Sequence, residues 1–271
     1  MIIKLISLCF LFSSLSSAEP TRQELSQCEK QAHNFGDGRG RDYIPIECYD
    51  YFLKLVSPQA IKKSVDGKIV VYGYRNIVFI KDPSYKSKGQ NVIAGSYTEL
   101  NDILALALDE INKEIVVLEK SGAVLFFSSV VTGNVAPLRI LKNKDLLGAS
   151  DIVVNAKKQE VIILNKNDHE IHFYSRLAND QGREGKKNNS LLFRLENIHI
   201  DFLSVDELHQ ELFMVSSMSD SILVYSLNSK LPVRKITIPG NVKAIGRIEY
   251  LASSDEVKIV RGSVELKIPR Q

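Results

Sequence analysis

The sequence predicts an all-β fold, a five-bladed β-propeller preceded by a short disulfide-stapled helical segment. Three observations predict it. An apolar residue following a polar turn recurs at Ile69, Ile115, Val161, Leu212 and Val257, and subtraction gives spacings of 46, 46, 51 and 45. A second apolar position recurs at Ile77, Val124, Ile171, Ile222 and Val264. The residue before the first position is Glu114, Glu160, Glu211 and Glu256 in four units, and Lys68 in the first. A period in the forties, built of strands, is the size of one four-stranded blade. Five unrelated hairpins of a two-layer sandwich are the alternative, but sandwich strands need not keep a period.

Residues 1–18 read as a secretory signal peptide. They carry one positive charge, Lys4, then an apolar run from Leu5 to Phe12 and the small residues Ser16, Ser17 and Ala18. Such a run is too short for a membrane-spanning helix. Cys9 lies within the apolar run, which argues against a lipid-anchored cysteine. The expected location is therefore an exported one, periplasmic or secreted, and the processed chain is expected to be soluble. Removal of Lys4 leaves 34 basic against 32 acidic residues, a net charge of +2. That is too weak to argue for nucleic acid or an anionic membrane by itself.

Residues 19–58 form the expected helical segment. Thr21-Arg22-Gln23-Glu24 fits a capping box at a helix start. Gly36 to Gly40 breaks that helix. Pro45 opens a second, with Ile46, Tyr49, Phe52, Leu53 and Val56 on one stripe. Cys28 and Cys48, an even pair in an exported chain, suggest a disulfide there. Residues 59–271 form the propeller, with repeats at about 60–100, 101–149, 150–199, 200–241 and 242–271.

Within each repeat the expected order is inner, two middle and outer strand. The runs Ile103–Leu108, Ile152–Val154 and Phe202–Val205 read as inner strands, where small residues suit a crowded axis. Arg139, Arg194 and Arg234 recur on the outer strands, and are read as charges that protect a sheet edge. The fifth repeat stops before an outer strand. An N-terminal segment such as Tyr43-Ile44, a three-stranded last blade, or a partner chain would each complete the ring.

The run Gly133-Asn134-Val135-Ala136-Pro137-Leu138-Arg139-Ile140-Leu141 leads into Asp151-Ile152-Val153-Val154. The strand pair Glu160–Asn165 and Glu170–Tyr174 follows. This resembles NHL/YVTN-type propeller repeats over about Ala60 to Ile268, although Leu141 stands where the pattern has Ile and Phe173 where it has Val. The resemblance implies a propeller that binds proteins, peptides, glycans or nucleic acid on a loop face. Some similar propellers are lactonases with a divalent metal on the axis, but fold analogy does not carry an activity over.

The second-to-third-strand loops supply the candidate ligand-binding residues: Arg75, Lys120, Asn167, His169, Asp220 and Arg261. This set is too cationic for a metal cage and suits an acidic ligand. His169 and His172, three apart along a strand, should point to opposite faces. There is no G-x-S-x-G motif, and the serines at 216, 217 and 219 have no identifiable base. The insertion from Leu177 to Ser190 should be a basic loop on the opposite face. The reading is a binding or scaffold propeller for a protein, acidic peptide or glycan, with no enzyme activity, cofactor or metal. A lactonase-like metal-dependent hydrolase and an exported nucleic-acid binder are the alternatives.

Overall fold

The structure is a computed structural model. It describes residues 60–64, 69–74, 76–81, 92–178, 193–194, 198–240, 245–261 and 264–270. The expected signal peptide, the helical segment, the Cys28 and Cys48 pair and Arg75 lie outside the described residues.

Five separate antiparallel sheets follow one another along the chain. Blade 1 is β1 (Ala60–Lys63), β2 (Val70–Tyr74), β3 (Ile77–Lys81) and β4 (Val92–Ile93). Blade 2 is β5 (Ile103–Asp109), β6 (Glu114–Glu119), β7 (Val124–Ser128) and β8 (Arg139–Leu141). Blade 3 is β9 (Ala149–Asn155), β10 (Glu160–Asn165), β11 (Glu170–Ser175) and β12 (Phe193–Arg194). Blade 4 is β13 (Phe202–Asp206), β14 (Glu211–Val215), β15 (Ser221–Ser226) and β16 (Pro232–Thr237). Blade 5 is β17 (Arg247–Leu251), β18 (Glu256–Arg261) and β19 (Val264–Pro269). Among the described residues blade 5 has three strands, and β19 is its outer one.

Blades 2, 3 and 4 bury both faces against their neighbours, so their middle strands are continuous apolar runs rather than alternating ones. Val161, Ile162, Ile163 and Leu164 on β10 are all buried. Alternate residues feed different cores. Ile163 packs toward blade 2 with Val116 and Phe126, while Ile162 packs toward blade 4 with Leu212 and Met214. Further apolar clusters join blade 1 to blade 2 and blade 4 to blade 5. The other face of blade 5 is charged: Glu249 on β17 pairs in register with Lys258 on β18, whose Nζ lies 2.7 Å from the Glu249 carboxylate.

The turn from first to second strand repeats in backbone detail. Its last residue is left-handed in four blades, at Lys113, Gln159, Gln210 and Asp255, with φ between 52° and 56°. The carbonyl of each accepts the amide of the residue that follows the third strand: Ser129, Arg176, Leu227 and Arg270. Asp109, Asn155 and Asp206 open three of these turns, and each side chain accepts an amide three residues on. These turns and the third-to-fourth connections share one face of the ring, here the near face. The second-to-third turns and the blade-to-blade connections lie on the far face.

Two of the outer-strand arginines, Arg139 and Arg234, are not edge guards. Arg139 on β8 donates from Nη1 and Nη2 to Glu114 on β6, at 2.8 and 2.6 Å, and its Nε donates to the Arg176 carbonyl of the next blade at 2.7 Å. Arg176 also reaches Glu114 at 2.8 Å. Blade 4 repeats the arrangement with Glu211, Arg234 and Arg270. The guanidinium of Arg139 is turned inward over the Phe126 ring, 3.9 Å from its centroid. A fork that binds a buried carboxylate and a neighbouring blade at once serves cohesion, not repulsion of other chains.

Candidate functional site

All five innermost strands converge on one axial cavity of about 340 Å³, open toward the near face. That volume is at the small end of ligand clefts. Blade 1 contributes Lys62 and Lys63, blade 2 Glu110 and Ile111, blade 3 Lys157, blade 4 Glu207 and Leu208, and blade 5 Glu249 and Tyr250. The floor is narrowed by Ala107, Val154, Ala156 and Ser204, the small and branched residues that a tapering axis favours. Ile111 and Leu208 occupy the same position of their turns, stand at the mouth, and are 60% and 64% exposed. Val130, Val131, Leu177 and Leu231, on the third-to-fourth connections of the same face, are exposed as well.

Deeper along the axis the charged groups are half-buried. Burial pushes the Asp151 carboxyl up to about 6, although it accepts amides from Leu203 and Ile152 and feels Lys62. Its Oδ2 takes the Leu203 amide at 2.7 Å, so it also latches blade 3 to blade 4. Burial pushes the Lys62 amine down, while Asp151 and Glu249 pull it back up. Burial alone would raise Glu249, yet the Lys258 hydrogen bond holds its carboxyl below the usual range.

The candidate residues among those described, Lys120, Asn167, His169, Asp220 and Arg261, lie on the far face, at the other end of the axis. Lys120 is exposed, 3.7 Å from Asp102 on the connection from blade 1. Asn167 packs over Gly148, where an added Cβ would stand 2.5 Å from its Nδ2. His169 is left-handed and exposed, its ring edge-to-face with His199 at 6.2 Å. His199 lies 3.2 Å from Asp201. Lys166 also pairs with Asp201. Burial would raise the Asp201 carboxyl, but hydrogen bonds from Lys166 and Ser217 bring it down to about 2. Asp220 and Arg261 are exposed in their own turns. The structure thus gathers Lys166, His169, His199 and Asp201 between blades 3 and 4, and leaves Lys120, Asp220 and Arg261 in separate blades. The acids Asp102, Asp145 and Asp201, on the blade-to-blade connections, stand among the cations that the turns alone present.

Two residues organise this face without having been singled out in the sequence. Asn165, fully buried, donates to the carbonyls of Asp145 and Leu147 and accepts the amides of Asn167 and Asp168. Glu119 at the matching position of blade 2 accepts the Asn101 amide. Their one legible signal is position, as the last residue of a second strand. His172 is buried on β11 while His169 is exposed, so the two histidines do not converge.

Among the described residues one trio could approach a common cation: Asp206, His209 and Asp255, with ligand atoms within 4.8 Å. Arg270 already fills that position. Its Nε lies 2.7 Å from Asp255 and 3.9 Å from Asp206, and His209 Nδ1 lies 2.6 Å from Asp206. The donor set is matched by a guanidinium and does not fit a metal.

No family model and no curated protein matches this chain. Solved structures do: 1472 chains match, among them one from a crystal structure of the mitotic checkpoint complex. It is similar at a TM-score of 0.50 and 13% identity, over 77% of this chain and 62% of its own length. This chain therefore spans less than two thirds of that neighbour. The likeness shows the β-propeller fold, one so widely shared that it selects no ligand. No helix among the described residues is long and apolar enough to cross a membrane.

Proposed function

We propose that this chain is a binding propeller, a non-enzymatic scaffold, that receives a protein partner on its near face in an exported compartment. The observation that carries the reading is the axial mouth with its apolar surround. Ile111 and Leu208 line the opening, and Val130, Val131, Leu177 and Leu231 are exposed on the third-to-fourth connections of the same face. Isolated exposed apolar residues are ordinary, but Ile111 and Leu208 flank a concave opening, which is where an interaction surface is expected. The far face, by contrast, meets Lys120 and Lys166 with acids of its own. A propeller of similar fold is part of a mitotic checkpoint complex, which agrees with a scaffold role.

The test compares the two faces. Partners are captured on the full chain from its native compartment, then challenged with Ile111→Asp/Leu208→Asp and with Lys120→Ala/Arg261→Ala. The near-face pair abolishes capture and the far-face pair leaves it intact. The reverse pattern would move the interface to the far face.

A further inference from the structure

We infer that the outer strand of blade 5 is a self-complementary edge, on which a second copy of this chain docks by antiparallel pairing of β19 with β19 about a two-fold axis at Leu266. The contact lies on the rim of the ring, away from the axial mouth, and does not depend on the near-face reading above.

Blade 4 ends its sheet with a fourth strand, β16, whereas among the described residues no strand pairs with the outer edge of β19. Val264, Glu265, Lys267 and Pro269 are exposed there. Such an edge offers main-chain groups to another strand. The register tells which ones. The Arg270 amide donates to the Asp255 carbonyl at 3.1 Å, continuing the pairing of Pro269 with Glu256. Main-chain groups turn to alternate sides along a strand, so those of Ile268, Leu266 and Val264 also face β18. Those of Glu265 and Lys267 face outward. Pro269 faces outward too, but has no N–H to give.

Two copies related by a two-fold axis can bond only through residues whose main-chain groups both face outward. Setting Glu265 against Glu265 of the second copy, or Lys267 against Lys267, places like charges directly opposite, which is unfavourable. The lysine register also sets Glu265 against Pro269, where a donor is missing. The register between these two sets Glu265 against Lys267 and Lys267 against Glu265, with Leu266 facing Leu266 and the exposed Val264 facing Ile268. Each Glu-Lys pair then exchanges both main-chain hydrogen bonds and brings opposite charges together. The sheet already lacks an acid at that place. Glu249, Lys258 and Lys267 stand in one row across β17, β18 and β19. Lys258 takes Glu249 at 2.7 Å and reaches Glu265 at 3.9 Å, while Lys267 is exposed and has no ion pair among the described residues. Glu265 of the second copy extends the row beside Lys267. Charges on an edge strand usually turn other strands away; here their order makes the strand the complement of its own reverse. The two three-stranded sheets join into one, in a closed isologous contact that presents two axial mouths.

The experiment is sedimentation equilibrium of the full chain over a concentration series from about 1 µM to about 500 µM, the range in which a small contact associates. A monomer–dimer equilibrium is expected. Glu265→Lys and Lys267→Glu each turn two cross-strand pairs from opposite to like charge, and each weakens the dimer by about tenfold. An equimolar mixture of the two variants restores association, and so does the double swap Glu265→Lys/Lys267→Glu. Circular dichroism and thermal melting confirm that these exposed substitutions keep the fold. Ile111→Asp/Leu208→Asp leaves the dimer intact. A monomer at every concentration, a dimer that survives both single variants, or single variants that fail to associate on mixing overturns the inference. A dimer lost in Ile111→Asp/Leu208→Asp would assign self-association to the near face and overturn it as well. If that variant loses partner capture and keeps the dimer, both the near-face function and the β19 contact stand.

Discussion

Glu211 on β14 takes both terminal nitrogens of Arg234 on β16, skipping the strand between them, with Nη2 2.8 Å from Oε2. Blade 2 repeats the relationship with Glu114 and Arg139. In both, burial would raise the carboxyl, and the arginine hydrogen bonds hold it below the usual range. Removing the acid strands two inward-facing guanidinium groups at a blade junction. Glu114→Ala is expected to cost about 3 kcal/mol in urea unfolding. Arg139→Lys is expected to cost less, because the ammonium keeps one charge contact and loses the fork. Equal stability of Glu114→Ala and wild type would show that the clasp is not cohesive.

His172 is buried, neither ring nitrogen makes a hydrogen bond, and burial pushes its imidazole below the ordinary value despite Glu170, Asp145 and Asp168 nearby. Its folded value is lower than its unfolded one, so the unfolded chain takes the proton first. Stability should therefore fall as pH drops below about 6.5, by at most about 1.4 kcal/mol per pH unit from this one group. His172→Phe should flatten that limb. Urea unfolding at pH 7.5 and 5.5 measures it, and an unchanged slope would acquit His172.

Asp151 has the opposite sign. Its folded value, about 6, lies above the ordinary 3.8, so its contribution is most favourable below pH 3.8 and is lost as pH rises through 6. Above that point the ionised group costs about 3 kcal/mol. Asp151→Asn keeps an oxygen for the Leu203 amide and removes the charge. The variant should gain more stability at pH 7.5 than at pH 4; a gain independent of pH would place its origin elsewhere.

Gly122 turns the chain from β6 to β7 with φ +83°, and a Cβ there would sit 2.6 Å from the Leu146 carbonyl oxygen. The obstacle is backbone on the neighbouring connection and cannot rotate away. Gly122→Ala is expected to lower stability by about 2 kcal/mol, read by thermal melting.

The strand periodicity was legible because each repeat writes its apolar runs locally, and all five anchor positions border or lie on second strands. Glu114 and Arg139 were each visible as recurring residues. Their link was not, since it joins strands 25 positions apart and a third residue 62 positions away. The far-face acids were missed for a similar reason: Asp102 and Asp201 sit on connections between blades, outside the turns that hold the lysines. The cavity is built from the ends of five strands spread from Lys62 to Ala252, and no single stretch announces it.

In blades 2 to 5 the left-handed residue of the first turn binds the end of the third strand through its carbonyl, a bond between main-chain atoms alone. Lys, Gln and Asp all serve there. The main-chain part of the joint is thus the same whichever of these side chains is mounted on it. The same wheel can therefore be written in very different letters, as a fold shared at 13% identity illustrates.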